Sequence, residues 1–163
     1  MRAKKPHKFD YSMSVNREAL ISIIKTSSML LRLSARFFAP FKTTDIQFNI
    51  LMILKNSDQE GISQQELSEK LVVTKSNVVG LVDRMEKQGL VERRPHPTDR
   101  RFNRIVITKK GKELVEKVEI HYYEEVDRMM AGISESEKRL IVEATVKVRE
   151  YLNKCERDGA HEK

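Results

Sequence analysis

The sequence predicts a mostly α-helical chain interrupted by a single small β-hairpin. Three observations carry that prediction. Apolar residues recur at helical spacing over most of the 163 residues. Thr44 with Gln47, Ser63 with Glu66 and Ser134 with Glu137 each place a hydroxyl three residues ahead of an acid or amide, the pattern of a reciprocal helix cap. Alternation at strand spacing is confined to two short segments on either side of a proline-rich loop at 95–99.

Residues 1–13 are polar, basic and without period, which suits an arm rather than a packed element. Residues 17–38 read as a helix with a stripe through Leu20, Ile24, Leu31 and Phe38. Pro40 ends it, because a proline ring excludes the preceding helical carbonyl. The Thr44–Gln47 box opens a helix expected to bury Ile46, Ile50, Ile53 and Leu54, and 56–61 is a loop. Ser63 and Glu66 then cap a short helix that turns Leu67 and Leu71 inward and stops near Lys70.

After a turn at 71–74, Thr74 is the next N-cap, and a second helix runs to Gln88 with Gly89 as its left-handed terminator. Val78, Leu81, Val82 and Met85 form its apolar stripe. Lys75, Ser76, Gly80, Asp83, Arg84 and Lys87 form its outer face. Two short helices joined by a tight turn make a helix-turn-helix. Strands at 90–94 and 102–108, the second with Ile105 and Ile107 alternating, add a hairpin. Residues 44–108 therefore predict a winged helix-turn-helix core.

Thr108 should cap a long helix at 109–131, with Val115, Val118, Tyr122, Val126 and Met129 on one side. Gly132 breaks it, and the Ser134–Glu137 box opens a last helix lined by Leu140, Ile141, Ala144, Val148, Tyr151 and Leu152. Little chain remains to cover these stripes or the one at 17–38. Burying them against a second copy is the economical solution, at roughly 25 cal/mol per Å². Residues 14–39 and 109–156 are accordingly expected to be dimerisation helices.

Composition excludes several classes. Apolar residues make up 39% and aromatics 6%, with no Trp, a lean inventory for a self-sufficient core. Nothing approaches the roughly 18 continuous apolar residues of a membrane span, and no apolar signal core follows the basic N-terminus, so a cytoplasmic protein is expected. One cysteine rules out an internal disulfide and suits a reducing compartment. The net charge of +7 is concentrated: residues 84–112 hold ten Lys/Arg against Glu86, Glu92 and Asp99, which accounts for the whole excess. Clustering on one hairpin and its flanks is the footprint of a phosphate-binding surface.

The residues expected to meet that phosphate follow from placement. Thr74, Lys75, Ser76 and Asn77 bring hydroxyls, an amide and an ammonium to a helix N-terminus, where the macrodipole disfavours a cation unless an external anion sits there. Gly80 costs a helix interior about 1 kcal/mol against Ala, which makes sense where the helix must approach a duplex closely. Arg84 lies on the same face, Arg94 on the first strand reaches phosphate, and Arg100 and Arg101 beside Asp99 suit a narrow minor groove. Cys155, three residues from Leu152 and four from Tyr151, reads as a small buried hydrophobe and not a redox switch. The histidines are scattered, and His121 with Glu124 and Glu125 lacks further ligands at metal-site spacing. No Gly-rich phosphate loop, nucleophile elbow or Cys/His constellation points to an enzyme, a metal or a cofactor.

The segments LSEKLVVTKSNVVGLVDRMEKQGLV and LVERRPHPTDRRFNRIVITKKG resemble the core and wing of the multiple-antibiotic-resistance regulator (MarR) family. The D-x-R of Asp99 and Arg101 and the I-T-x-x-G of Ile107, Thr108 and Gly111 stand where that family has them, and the likeness runs from about Thr44 to Gly111. The resemblance implies a homodimer joined through its terminal helices and bound to a pseudo-palindromic double-stranded DNA operator. It implies that Asp99 orients the wing through an arginine while Arg101 enters the minor groove. It also implies a repressor released by a small aromatic or anionic effector, held between the dimer helices and the winged core. Some family members sense oxidants with a cysteine near the N-terminus, where this chain has none. A ligand-independent regulator or activator, and a basic structural or RNA-associated protein, remain the alternatives.

Overall fold

The computed structural model describes residues 14–58, 60–71, 75–95 and 103–159, with the backbone alone at 75–77, 156, 157 and 159. In chain order these form α1 (Val15–Phe38), a 3-10 turn (Ala39–Phe41), α2 (Asp45–Lys55), β1 (Ile62–Ser63), α3 (Gln64–Leu71), α4 (Lys75–Lys87), β2 (Val91–Pro95), β3 (Asn103–Ile107), α5 (Lys109–Met130) and α6 (Glu135–Gly159). The expected class is observed: a mostly helical chain with a small antiparallel sheet. Two compact units divide between Glu116 and Lys117, within α5.

The first unit is built around a core shared by α2, α3, α4 and the sheet. Ile50, Leu51, Leu67, Val78, Val82, Met85, Val91, Ile105 and Val115 are essentially inaccessible. The stripe expected on α4 is the buried one. In α2 the buried face is rotated from expectation: Phe48, Ile50, Leu51 and Leu54 are buried, while Ile46 and Ile53 are half-buried. Phe38, the one buried residue of α1, explains the rotation, because its ring meets Phe48 at 5.4 Å between centroids. Large rings fill that corner more completely than Ile46 could.

Only half of the first capping box forms. Thr44 Oγ1 accepts from the Gln47 amide at 3.3 Å, but the Gln47 side chain does not reach back. Its oxygen accepts from the Thr43 hydroxyl and its Nε2 donates to Gln88 Oε1 at 3.1 Å, tying the start of α2 to the end of α4. The box ahead of α3 closes fully. The Ser63 amide donates to Glu66 Oε2 at 2.7 Å and the Glu66 amide donates to Ser63 Oγ at 3.1 Å. The bond from the Ser63 backbone holds the Glu66 carboxyl below its ordinary range. Before this box lies a strand that sequence periodicity does not reveal. Ile62 and Ser63 pair with Ile105 and Arg104, so β3 is the central strand of the order β1-β3-β2. Gly61 permits this approach at φ +78°, since a Cβ there would lie 2.2 Å from the Ile105 carbonyl oxygen.

The second unit contains the remainder of α5 and all of α6. The third capping box forms as expected: the Ser134 amide donates to Glu137 Oε2 at 2.8 Å, and the return bond is 3.4 Å. The α6 stripe is largely uncovered by the described residues, with Leu140, Ile141, Tyr151 and Leu152 between 48% and 69% exposed. Cys155 is exposed, which corrects the expectation that it is buried. Helical spacing puts it beside Tyr151 and Leu152, and all three are exposed. The Cys155 thiol one turn on holds the Tyr151 phenol above its ordinary value. Leu20, Ile24 and Leu31 of α1 are likewise more than half exposed. Among the described residues no helix is long and apolar enough to cross a membrane.

Candidate nucleic-acid interface

Helix α4 presents one face to the core and the other to solvent. Val78, Leu81, Val82 and Met85 are buried, whereas Arg84 and Lys87 are exposed and Gly80 is half-exposed. Among the described residues, a Cβ added at Gly80 would meet only Arg84 Nη1, at 3.6 Å. Their packing therefore does not require glycine here. Val79 also lies outward, 44% exposed, a position the outer-face reading had missed. Lys75, Ser76 and Asn77 occupy the first turn of α4 by backbone. Thr74, Asp99, Arg100 and Arg101 lie outside the described residues.

The C-terminal end of α4 is held firmly. Gly89, at φ +71°, lets the Leu90 amide donate to the Met85 carbonyl at 2.9 Å and its own amide donate to Glu86 at 2.8 Å. That is the two-bond Schellman closure that spends the last free carbonyls of a helix. Lys110 Nζ donates to the Gln88 carbonyl at 2.6 Å, and Thr108 Oγ1 donates to that of Gly89 at 2.7 Å. Thr108 also caps α5 by accepting from the Gly111 amide at 3.1 Å. Gly111 sits so close to the Leu90 carbonyl oxygen that a Cβ would be 2.2 Å from it. Lys110 thus serves helix termination, although its charge had been counted with the phosphate-facing cluster.

Arg93 joins the two surfaces, and sequence reasoning assigned it no role. From β2 its guanidinium reaches back to α4, where Nη2 donates to Asp83 Oδ1 at 2.5 Å and Nη1 to Glu86 Oε2. Its backbone amide donates to Glu86 Oε1 at 3.0 Å. Burial alone would pull this guanidinium down, but Asp83 and Glu86 outweigh it and hold Arg93 above its ordinary value. The two acids of α4 are thereby neutralised on a surface otherwise cationic.

On the hairpin, β2 and β3 pair from Val91↔Ile107 to Pro95↔Asn103. Arg94 is exposed at 58% of its side chain, and its Nε donates to Glu92 Oε1 at 2.6 Å, so a phosphate contact from Arg94 must share or displace that carboxylate. Arg104, opposite Arg94, donates from Nε to the Gly61 carbonyl at 2.9 Å and braces the sheet. His121 Nδ1 lies 3.8 Å from Glu124 with both groups more than half exposed, a solvated pair.

Helix-turn-helix, three-stranded sheet and hairpin together define a winged-helix protein with an outward α4 face and an arginine-rich wing strand. The MarR family model matches residues 41–101. YetL of Bacillus subtilis, an HTH-type transcriptional repressor, is 29% identical over 125 residues, covering 77% of this chain and 75% of the relative. Two solved structures share the fold. The organohalide-sensing regulator RdhR in its 2,4-dichlorophenol-bound form has a TM-score of 0.77, 21% identity and coverage of 91% and 86% of the two chains. The Staphylococcus aureus MepR–DNA complex has a TM-score of 0.71, 23% identity and coverage of 90% and 99%. The chain is similar to the MarR family of transcriptional regulators, whose model it matches over much of the winged-helix core.

Proposed function

We propose that the chain acts in the cytoplasm as a homodimeric repressor. Two copies of α4 enter successive major grooves of a pseudo-palindromic operator, and a small aromatic or anionic effector releases them. The observation that carries this reading is the coincidence of charge and shape: the whole +7 excess falls at 84–112, on the end of α4, the hairpin and the start of α5. Arg84, Arg94, Arg100 and Arg101 supply phosphate or minor-groove charge, Asp99 orients the wing, and Thr74, Lys75, Ser76 and Asn77 meet phosphates and base edges from the first turn of α4. Gly80 admits the close approach. No catalysis is involved.

The uncovered stripes of α1 and α6 support dimerisation through 14–39 and 109–156 around a DNA-binding core at 44–108. The dichlorophenol-bound relative of the same fold supports an aromatic effector, and the MepR complex supports DNA as the partner. Such an effector works by binding the DNA-free arrangement more tightly, whatever its site.

Selection of bound genomic fragments tests the reading, followed by affinities at several salt concentrations. Arg101→Ala should weaken operator and random DNA together and lower the salt slope by about one. Asn77→Ala should cost on the order of 1–3 kcal/mol on operator with little change in slope. Equal competition by double-stranded RNA would overturn the duplex-DNA reading, because an A-form major groove does not admit a helix.

A further inference from the structure

Among its described side chains, the outer face of α4 carries one apolar group, and it is only partly covered. Val79 is 44% exposed, while its neighbours on the same helix, Val78, Leu81, Val82 and Met85, are all at 9% or less. A β-branched residue on a helix surface runs against intrinsic propensity, so helix preference does not account for valine here. Three features shape the ground around it. Gly80, the next residue, has no Cβ, and among the described residues a Cβ there would meet only Arg84 Nη1, at 3.6 Å. Asp83, one turn on, is drawn away to Arg93. Position 76, three residues back, is a serine in the sequence, one of the shorter side chains. The result is a small apolar step between the polar first turn of α4 and its cationic end.

In the major groove the base edges offer donors, acceptors and one apolar group, the C5-methyl of thymine. Resting on the reading of α4 as the recognition helix, we propose that Val79 is a specificity-determining residue that packs on a thymine methyl at one position in each operator half-site. Valine offers no hydrogen bond, so it reads the methyl and not the O4 or N4 group. A 5-methylcytosine at that position should therefore satisfy the contact itself.

The test uses the full chain and an operator taken from its own bound genomic fragments. Each thymidine is replaced singly by deoxyuridine, which removes only the methyl group. For the unaltered protein, one position per half-site should lose about fourfold in affinity, the factor for burying one methyl group. Val79→Ala should bind the thymidine operator more weakly by a similar factor and should be indifferent to deoxyuridine there. Alanine favours helix more than valine does, so the variant retains its fold. If the chain selects DNA but every deoxyuridine substitution affects both proteins equally, the proposal is overturned while the regulator reading stands. If the chain selects no DNA, both fall together.

Discussion

Gly80→Ala separates what the protein needs for itself from what it needs for its partner. Glycine within a helix is less favourable than alanine by about 0.8–1 kcal/mol, and among the described residues the added Cβ would meet only Arg84 Nη1 at 3.6 Å, ordinary van der Waals contact. The variant should therefore gain about 0.5–1 kcal/mol, a rise of roughly 1–4 °C in Tm for a chain of this size. Operator binding should move the other way. A methyl forced into a close helix–groove contact costs about 1–3 kcal/mol by analogy with overpacked cores, or roughly five- to hundredfold in affinity. Calorimetry and fluorescence anisotropy on one preparation read both quantities. A variant that is more stable yet binds operator unchanged would refute the close approach at Gly80. A variant that is less stable would refute the claim that the space is open.

Arg93→Met keeps the aliphatic stem but removes both ion pairs to α4. Each pair is partly exposed and contributes about 1 kcal/mol at most, so Tm should fall by a few degrees and by no more than roughly 4–8 °C, with the gap narrowing in 1 M salt; an unchanged Tm would show the bridge to be inert. Gly111→Ala drives a Cβ to 2.2 Å from the Leu90 carbonyl oxygen and should lower stability by about 3 kcal/mol or more, read as a shifted urea midpoint. Glu66 has a folded pKa below its ordinary 4.5, so its cap stabilises fully above that pH and loses its effect as pH falls through the folded value. The Tm difference between the unaltered protein and Glu66→Ala should be flat from pH 7 to about 5 and shrink below about 4.5; a difference constant down to pH 3 would contradict this.

What the sequence made legible was local. The Ser63–Glu66 box, Gly89 and Thr108 each act within a few residues, so residue type and spacing reveal them. The Arg93 bridge spans seven and ten residues and depends on how β2 folds back on α4, which no periodicity encodes. Strand β1 has two residues, too few to alternate. Gln47 satisfied the capping pattern yet spends its amide on Gln88, because a tertiary partner outcompeted the local one. Cys155 shows the limit of a helical wheel: it ranks faces by polarity but does not say whether the same chain covers them. Val79 was overlooked for the converse reason, as an apolar residue beside a buried stripe.

The short pairing of Ile62 and Ser63 with β3 has a consequence for motion. Through Gly61 and Arg104 it joins points 43 residues apart and closes a loop containing α3, α4 and β2. Closing such a loop is entropically costly, and the cost is met once, by the element set as a whole. Backbone amides of β1 and β3 should therefore exchange their protons with solvent only when the entire loop opens, at one common rate and not in a graded series. Opening of this pairing would then release α3, α4 and β2 together and not one after another.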